Sequence, residues 1–212
     1  MPYYYQRYEP IKIGPLNTSK IELKQLGIAW LAISIAFANV LIRGNFSLFP
    51  QMFIISAITV GSGFFFHELG HKIMAQKYGC FAEFRAFFNM LIFAVIISFA
   101  GFVFAAPGAV MISGHPTRKQ NGIISLAGPL VNLVFAYLFF ILLTFSVLLN
   151  LSAFLITLFS YGFLINTWLA LFNLLPFGNF DGRKVLNWNK LVYGVTIGFT
   201  ILMFLSQMIS IG

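Results

Sequence analysis

Five stretches of this chain stay apolar for about the 20 residues that a helix needs to cross a bilayer: Leu26–Ile42, Pro50–Met74, Ile123–Leu149, Ala153–Leu175 and Leu191–Ile211. In hydrocarbon every backbone N–H and C=O must find its partner inside the protein, so runs of this kind fold as helices. Only 8% of the 212 residues are charged and 59% are hydrophobic, which excludes a soluble domain of this size. The expected fold class is an all-α polytopic membrane protein. A sixth apolar run, Phe87–Ala106, is interrupted by Gly101 and ends at Pro107-Gly108. It reads either as a full span or as a re-entrant segment, which gives five to six transmembrane helices. Ala109–Ile112 could add a short membrane-associated β-strand or hairpin.

The basic residues choose between the two readings. With a re-entrant segment, 12 of the 13 Lys and Arg fall on one side and only Arg43 on the other; with a full span the split is 7 to 6. The positive-inside rule favours the re-entrant segment. The N-terminus and the loops around 72–120 and 176–190 are then cytoplasmic, and the C-terminus lies outside a cell membrane. The net charge of +8 is accounted for by topology and anionic headgroups, and no nucleic acid is implied. Residues 1–25, with no signal-peptide pattern, are expected to form a cytoplasmic or interfacial segment in which Tyr3, Tyr4, Tyr5 and Tyr8 suit a membrane-interface anchor. Cys80, the single cysteine, excludes an intrachain disulfide and reads as a buried or interfacial thiol, while His115 reads as solvated.

Ionisable side chains inside a span are costly and call for a functional explanation. The second run holds His67-Glu68-Leu69-Gly70-His71. Two His four residues apart share one helix face and can grip one Zn²⁺, and the Glu between them can take a proton from water. A catalytic zinc site uses three protein ligands and leaves one position open. The chain has five acidic residues: Glu9, Glu22, Glu68, Glu83 and Asp181. Glu9 and Glu22 belong to the N-terminal segment, and Glu83 reads as a loop residue beside Arg85. Asp181 follows the helix stop at Pro176, where Gly178 and Gly182 let the backbone turn a carboxylate toward the core. The re-entrant reading also brings His71, Pro129 and Asp181 to one membrane face. His67, His71 and Asp181 are therefore the candidate zinc ligands, one ion per chain, with Glu68 as general base.

His67-Glu68-Leu69-Gly70-His71, then Ala127-Gly128-Pro129-Leu130-Val131-Asn132, then Asn173-Leu174-Leu175-Pro176 and Asp181-Gly182 together resemble the site-2 protease family of intramembrane zinc metalloproteases. The resemblance covers about residues 53–186. It implies the same ligands and base, and it implies that Asn132 and Asn173 hold the substrate or steady the oxyanion. The implied partner is a transmembrane helix of a membrane-bound regulator, cut within or near the bilayer. Such a helix hides its peptide bonds and must be unwound first. The edge of a strand at 109–112 could take up the unwound chain, and a lateral gate is expected between the first and last spans.

Two departures stand out. The run Phe87–Ala106 is extra where the family has a short β-hairpin, and neither a PDZ domain nor a C-terminal sensor pair fits here. The chain thus reads as one membrane-embedded protease domain, 1–212, with a core at 53–186 and a last span at 191–211. Gating then falls to a regulatory partner protein or to the helices themselves. Other readings stand beside this one. Asn132 could be interhelical glue, and Gly128-Pro129 a helix-opening device. The whole could be a zinc-binding scaffold, a divalent-metal transporter or, least well supported, a membrane-anchored peptidase for soluble chains.

Overall fold

The apolar runs fold as helices with ordinary devices at their ends. The computed structural model describes residues 11–103 and 107–211, with side chains to Gln207; Tyr3, Tyr4, Tyr5 and Tyr8 lie outside the described residues. A hairpin of β1 (Ile11–Ile13) and β2 (Leu16–Thr18) precedes α1 (Lys20–Leu41). Ser19 caps α1, its Oγ accepting the Glu22 N–H at 3.1 Å. The second span is α2 (Phe49–Ser56), a π-helical turn at Ala57–Gly61, and α3 (Ser62–Lys77). Where the π turn breaks the ladder, Trp30 Nε1 on α1 donates to the Ala57 carbonyl at 3.2 Å. The remaining long helices are α5 (Arg118–Leu148), opened by a Thr117–Gln120 capping box, α6 (Ala153–Asn173) and α8 (Lys190–Ile211). The short α7 (Asp181–Trp188) joins the last two. Among the described residues, five helical segments are long and apolar enough to cross a membrane. The chain is a polytopic membrane protein with the expected spans.

The sixth run makes a different object. Its helix α4 (Phe88–Ser98) has 11 residues. That is about 16 Å of helix, half of a bilayer core. The strands on either side of it, β3 (Phe81–Ala86) and β4 (Gly108–Ser113), pair antiparallel from Phe81↔Ser113 to Ala86↔Gly108. Phe87 N–H donates to Pro107 C=O at 3.0 Å, so the chain leaves and rejoins the sheet at one point. A crossing would separate these two ends, so the segment is re-entrant. The turn at its tip uses Gly101 at φ +90°, and Asn39 on α1 donates to Ser98 Oγ at 3.1 Å to pin the end of α4. The β-hairpin and the extra apolar run are thus one feature, with α4 as the connection between paired strands. The strand expected at Ala109–Ile112 is β4, one residue longer at each end, and Glu83 sits buried on its partner β3 rather than in a loop. Cys80 is buried and His115 exposed, as read from the sequence.

Packing places these pieces around α3. Leu26, Ala29 and Ile33 of α1 form a buried cluster with Val60, Phe64, Phe84 and Leu91, which sets the sheet against the metal-motif helix. On the other side α5 packs against both α3 and α6.

Candidate metal centre

α3 presents His67 and His71 on one face, as their spacing dictates. Their Nε2 atoms lie 3.0 Å apart, and Asp181 Oδ2 stands 3.5 Å from His67 Nε2 and 3.0 Å from His71 Nε2. Four ligands at about 2.0–2.1 Å around a tetrahedral Zn²⁺ sit about 3.3 Å from one another. The three donor atoms therefore have the spacing that zinc requires, and all three residues are buried. Two imidazole nitrogens facing each other and a carboxylate form a donor set that fits a cation between them.

The tautomer of each imidazole follows from its neighbours. His71 Nδ1 lies 2.8 Å from the Ile124 carbonyl, which can only accept, so this nitrogen carries the proton and Nε2 offers its lone pair. His67 Nδ1 lies 2.6 Å from Asn132 Oδ1. The amide of Asn132 cannot be turned over, because its Nδ2 donates to the Gly63 carbonyl at 3.1 Å and to Asn166 Oδ1 at 3.2 Å. Asn166 is pinned in turn by donation to the Gly162 carbonyl at 3.0 Å. Backbone carbonyls thus fix the polarity of the chain from Asn166 to Asn132 to His67, and His67 too offers Nε2 to the centre. Partners of this kind typically contribute 10–100-fold to metal affinity. Asn132→Leu is expected to weaken metal binding by about that factor, read by competition with a chelator. Unchanged affinity would separate Asn132 from the work of His67.

Asp181 is the first residue of α7, just after the chain has turned at Gly178 with φ +57°. Burial alone would push its carboxyl up, but His71 and His67, when protonated, outweigh burial and hold it below the usual carboxylate range. A Cβ on Gly182 would lie 2.0 Å from the Leu174 carbonyl, so only glycine lets α7 start tightly against the end of α6 and aim Asp181 inward. Gly128, on α5, faces the centre directly: a Cβ there would lie 2.4 Å from His71 Nε2 and 2.6 Å from His67 Nε2. Gly128 belongs to the metal centre; it and Pro129 lie inside α5, which opens at Arg118, so the pair is not the helix-opening device its sequence suggested.

Glu68 is buried beside this cluster, and its Oε2 accepts the backbone N–H of Val110 on β4 at 3.1 Å. All these groups open on one cavity of about 470 Å³. β4 forms one wall of it, through Gly108, Val110 and Ile112, while Trp168 and Phe172 of α6 contribute another. Lys184, 43% exposed and 3.7 Å from Asp181 Oδ1, lines the cavity where it meets the surface. Asn173 also lines it, and donates to Leu169 C=O one turn back at 2.9 Å.

The structure therefore brings together all six residues singled out in the sequence. His67, His71 and Asp181 converge; Glu68 and Asn173 face the same cavity. Asn132 lines it too, but both of its amide hydrogens and its oxygen are engaged within the protein. Sequence reasoning missed Asn166, although an Asn in an apolar span was a visible signal. It also missed the Ile124 carbonyl and the Val110 N–H, which as backbone groups leave no mark in a sequence.

Comparison with known proteins agrees with this geometry. The family model for peptidase family M50 matches residues 55–152. The chain is 42% identical over 192 residues to "Putative zinc metalloprotease MJ0611" of Methanocaldococcus jannaschii, covering 90% of this chain and 95% of that one. It is 31% identical over 155 residues to "Putative zinc metalloprotease YwhC" of Bacillus subtilis, covering 66% and 69%. No solved structure gives a significant match. On this likeness and on its own donor set, the chain belongs to peptidase family M50, the site-2 protease family of zinc metalloproteases.

Proposed function

We propose that this protein is an intramembrane zinc endopeptidase that hydrolyses a peptide bond within or near a transmembrane helix of a membrane-bound substrate. The observation that carries this reading is the cavity: the three donor atoms, Glu68 and the edge of β4 face one space between helices long enough to span a bilayer. His67, His71 and Asp181 hold the zinc. Zinc, when bound, supplies a water of lowered pKa and a Lewis acid for the scissile carbonyl. Glu68 takes the proton of the attacking water and passes it to the leaving amine. Asn173 keeps one amide hydrogen beyond its bond to Leu169, and donates it to the substrate or the developing oxyanion. Lys184 and Asn179 give the cavity a polar mouth through which water arrives.

The two edges of the sheet differ in a way that supports docking of an unwound substrate. In an antiparallel ladder, alternate pairs turn their N–H and C=O groups outward. Phe84 gives its N–H to Glu22 Oε1 and its partner Val110 gives its own to Glu68, so the pair Phe84↔Val110 faces outward, as do Ala82↔Ile112 and Ala86↔Gly108. On β3 three of these groups are taken by side chains of the helices around it: Phe84 N–H by Glu22 at 2.9 Å, Ala86 N–H by Gln25 at 2.9 Å, and Ala82 C=O by Gln76 at 3.3 Å. On β4 the outward groups of Gly108, Val110 and Ile112 line the cavity, which makes β4 the edge for strand addition. The active-site face is cytoplasmic and the C-terminus outside, on the charge distribution given above.

The test pairs zinc content with cleavage. Wild type and His71→Ala are purified in detergent and given a single-span peptide with a Gly-Pro break in its apolar helix. The expected result is about one zinc per chain and a cut inside the apolar segment for the wild type, with neither for the variant. Cleavage restricted to soluble peptides, or folded wild type without zinc, would overturn the proposal.

A further inference from the structure

Glu22 has three hydrogen-bonding partners, and the chemistry above does not use it. It is wholly buried at the start of α1. Its Oε2 takes the ammonium of Lys72, the residue after His71 on α3, and the Thr18 hydroxyl at 2.6 Å; its Oε1 takes the Phe84 N–H at 2.9 Å. Next to it, Ser19 donates to Glu83 on β3. A buried ion pair is no stronger a glue than apolar side chains of the same volume, so its use here calls for a positional reason. The geometry supplies one. Through Glu22 the outer edge of β3 is attached to the same helix that carries His67 and His71. Gln25 holds the edge two residues further along, and Gln76, also on α3, holds it two residues before. Three side chains thus grip β3 at alternate residues, all from the frame of the metal site.

We infer that Glu22, with Gln25 and Gln76, sets the register of the sheet against the metal centre and thereby selects which substrate bond is cut. This rests on the strand-addition reading above. A strand laid along β4 displaces Glu68 from the Val110 N–H, since both need the same donor. From that moment the grip on β3, together with the apolar packing of Phe84, holds the sheet in place along the cavity. Glu22 is a positioning residue: it touches neither the substrate nor the donor atoms. The outward groups of β3 repeat every second residue, so the next position at which sheet and frame fit again lies two residues along.

Cleavage position is a readout that mere loss of stability would not move. The experiment maps the products of the Gly-Pro peptide by mass spectrometry, with zinc content measured alongside. Glu22→Gln combined with Lys72→Met keeps an oxygen for the Phe84 N–H, leaves no unpaired buried charge and is expected to keep the wild-type cut. Glu22→Met combined with Lys72→Met leaves no unpaired buried charge but removes the grip. It is expected to raise the share of cuts displaced by two residues at least about tenfold, the scale set by losing a hydrogen bond to a charged group. Gln25→Leu, which leaves the ion pair intact, is expected to do the same to a smaller extent. A zinc-loaded Glu22→Met, Lys72→Met double variant that cuts only the wild-type bond would overturn the inference. A wild type that cuts the peptide in its apolar segment without a fixed position overturns it as well. A wild type that binds zinc and never cuts the peptide overturns the protease reading itself, and the inference with it.

Discussion

Glu68→Gln is expected to keep about one zinc per chain and to lose cleavage by about 10²–10⁴-fold. The three donor atoms come from His67, His71 and Asp181, so the amide replaces nothing that the metal needs. The new side chain has the same shape and its oxygen still accepts the Val110 N–H, so neither α3 nor β4 has reason to move. What it cannot do is take a proton from water. The variant also separates the main alternative: a divalent-metal transporter with these residues as its binding site would show altered ion flux and would not cleave in either form. Peptide cleavage within tenfold of wild type would remove Glu68 from the role of base.

Gly128→Ala is expected to abolish zinc binding, with a loss of affinity beyond about 100-fold. The added methyl carbon would fall 2.4 Å from one donor nitrogen and 2.6 Å from the other, closer than carbon and nitrogen approach without a bond. The imidazoles cannot swing aside freely, since Asn132 and the Ile124 carbonyl hold their far nitrogens. Gly27→Ala is the matched control, because a Cβ on that helical glycine meets nothing within 4 Å. Zinc content of the two purified variants decides the matter, and equal zinc in both would place Gly128 outside the centre.

The spans were readable because membrane burial leaves little choice: apolar length fixes the helix. Two His on one helical face and a scarcity of acids were enough to reach His67, His71 and Asp181. The sixth run was harder, since hydropathy records that a segment is apolar and not where it turns back. Gly101 and the Pro107-Gly108 pair marked the turn, and the basic residues favoured it, but the pairing of β3 with β4 joins residues on both sides of α4 that share no local pattern. β3 itself, Phe81-Ala82-Glu83-Phe84-Arg85-Ala86, carries two charges and reads as a loop. It becomes a strand because β4 pairs with one edge and Glu22, Gln25 and Gln76 complete the other, each reaching it from a helix rather than from a neighbour in sequence. Asn166 escaped for a related reason: its partner is Asn132, on another helix, and it touches the metal site only through it.

The hydrogen bond between Phe87 and Pro107 divides the chain into a machine and an attachment. The metal ligands, Glu68 and both strands lie outside the segment between Phe87 and Pro107, which leaves and rejoins the sheet at one doorway and reaches back to the core through Leu91. Away from Leu91 and Val103, such a segment can change its character without moving a metal ligand. It is therefore the place where relatives with the same chemistry are free to diverge in how they meet the lipid and the proteins around them.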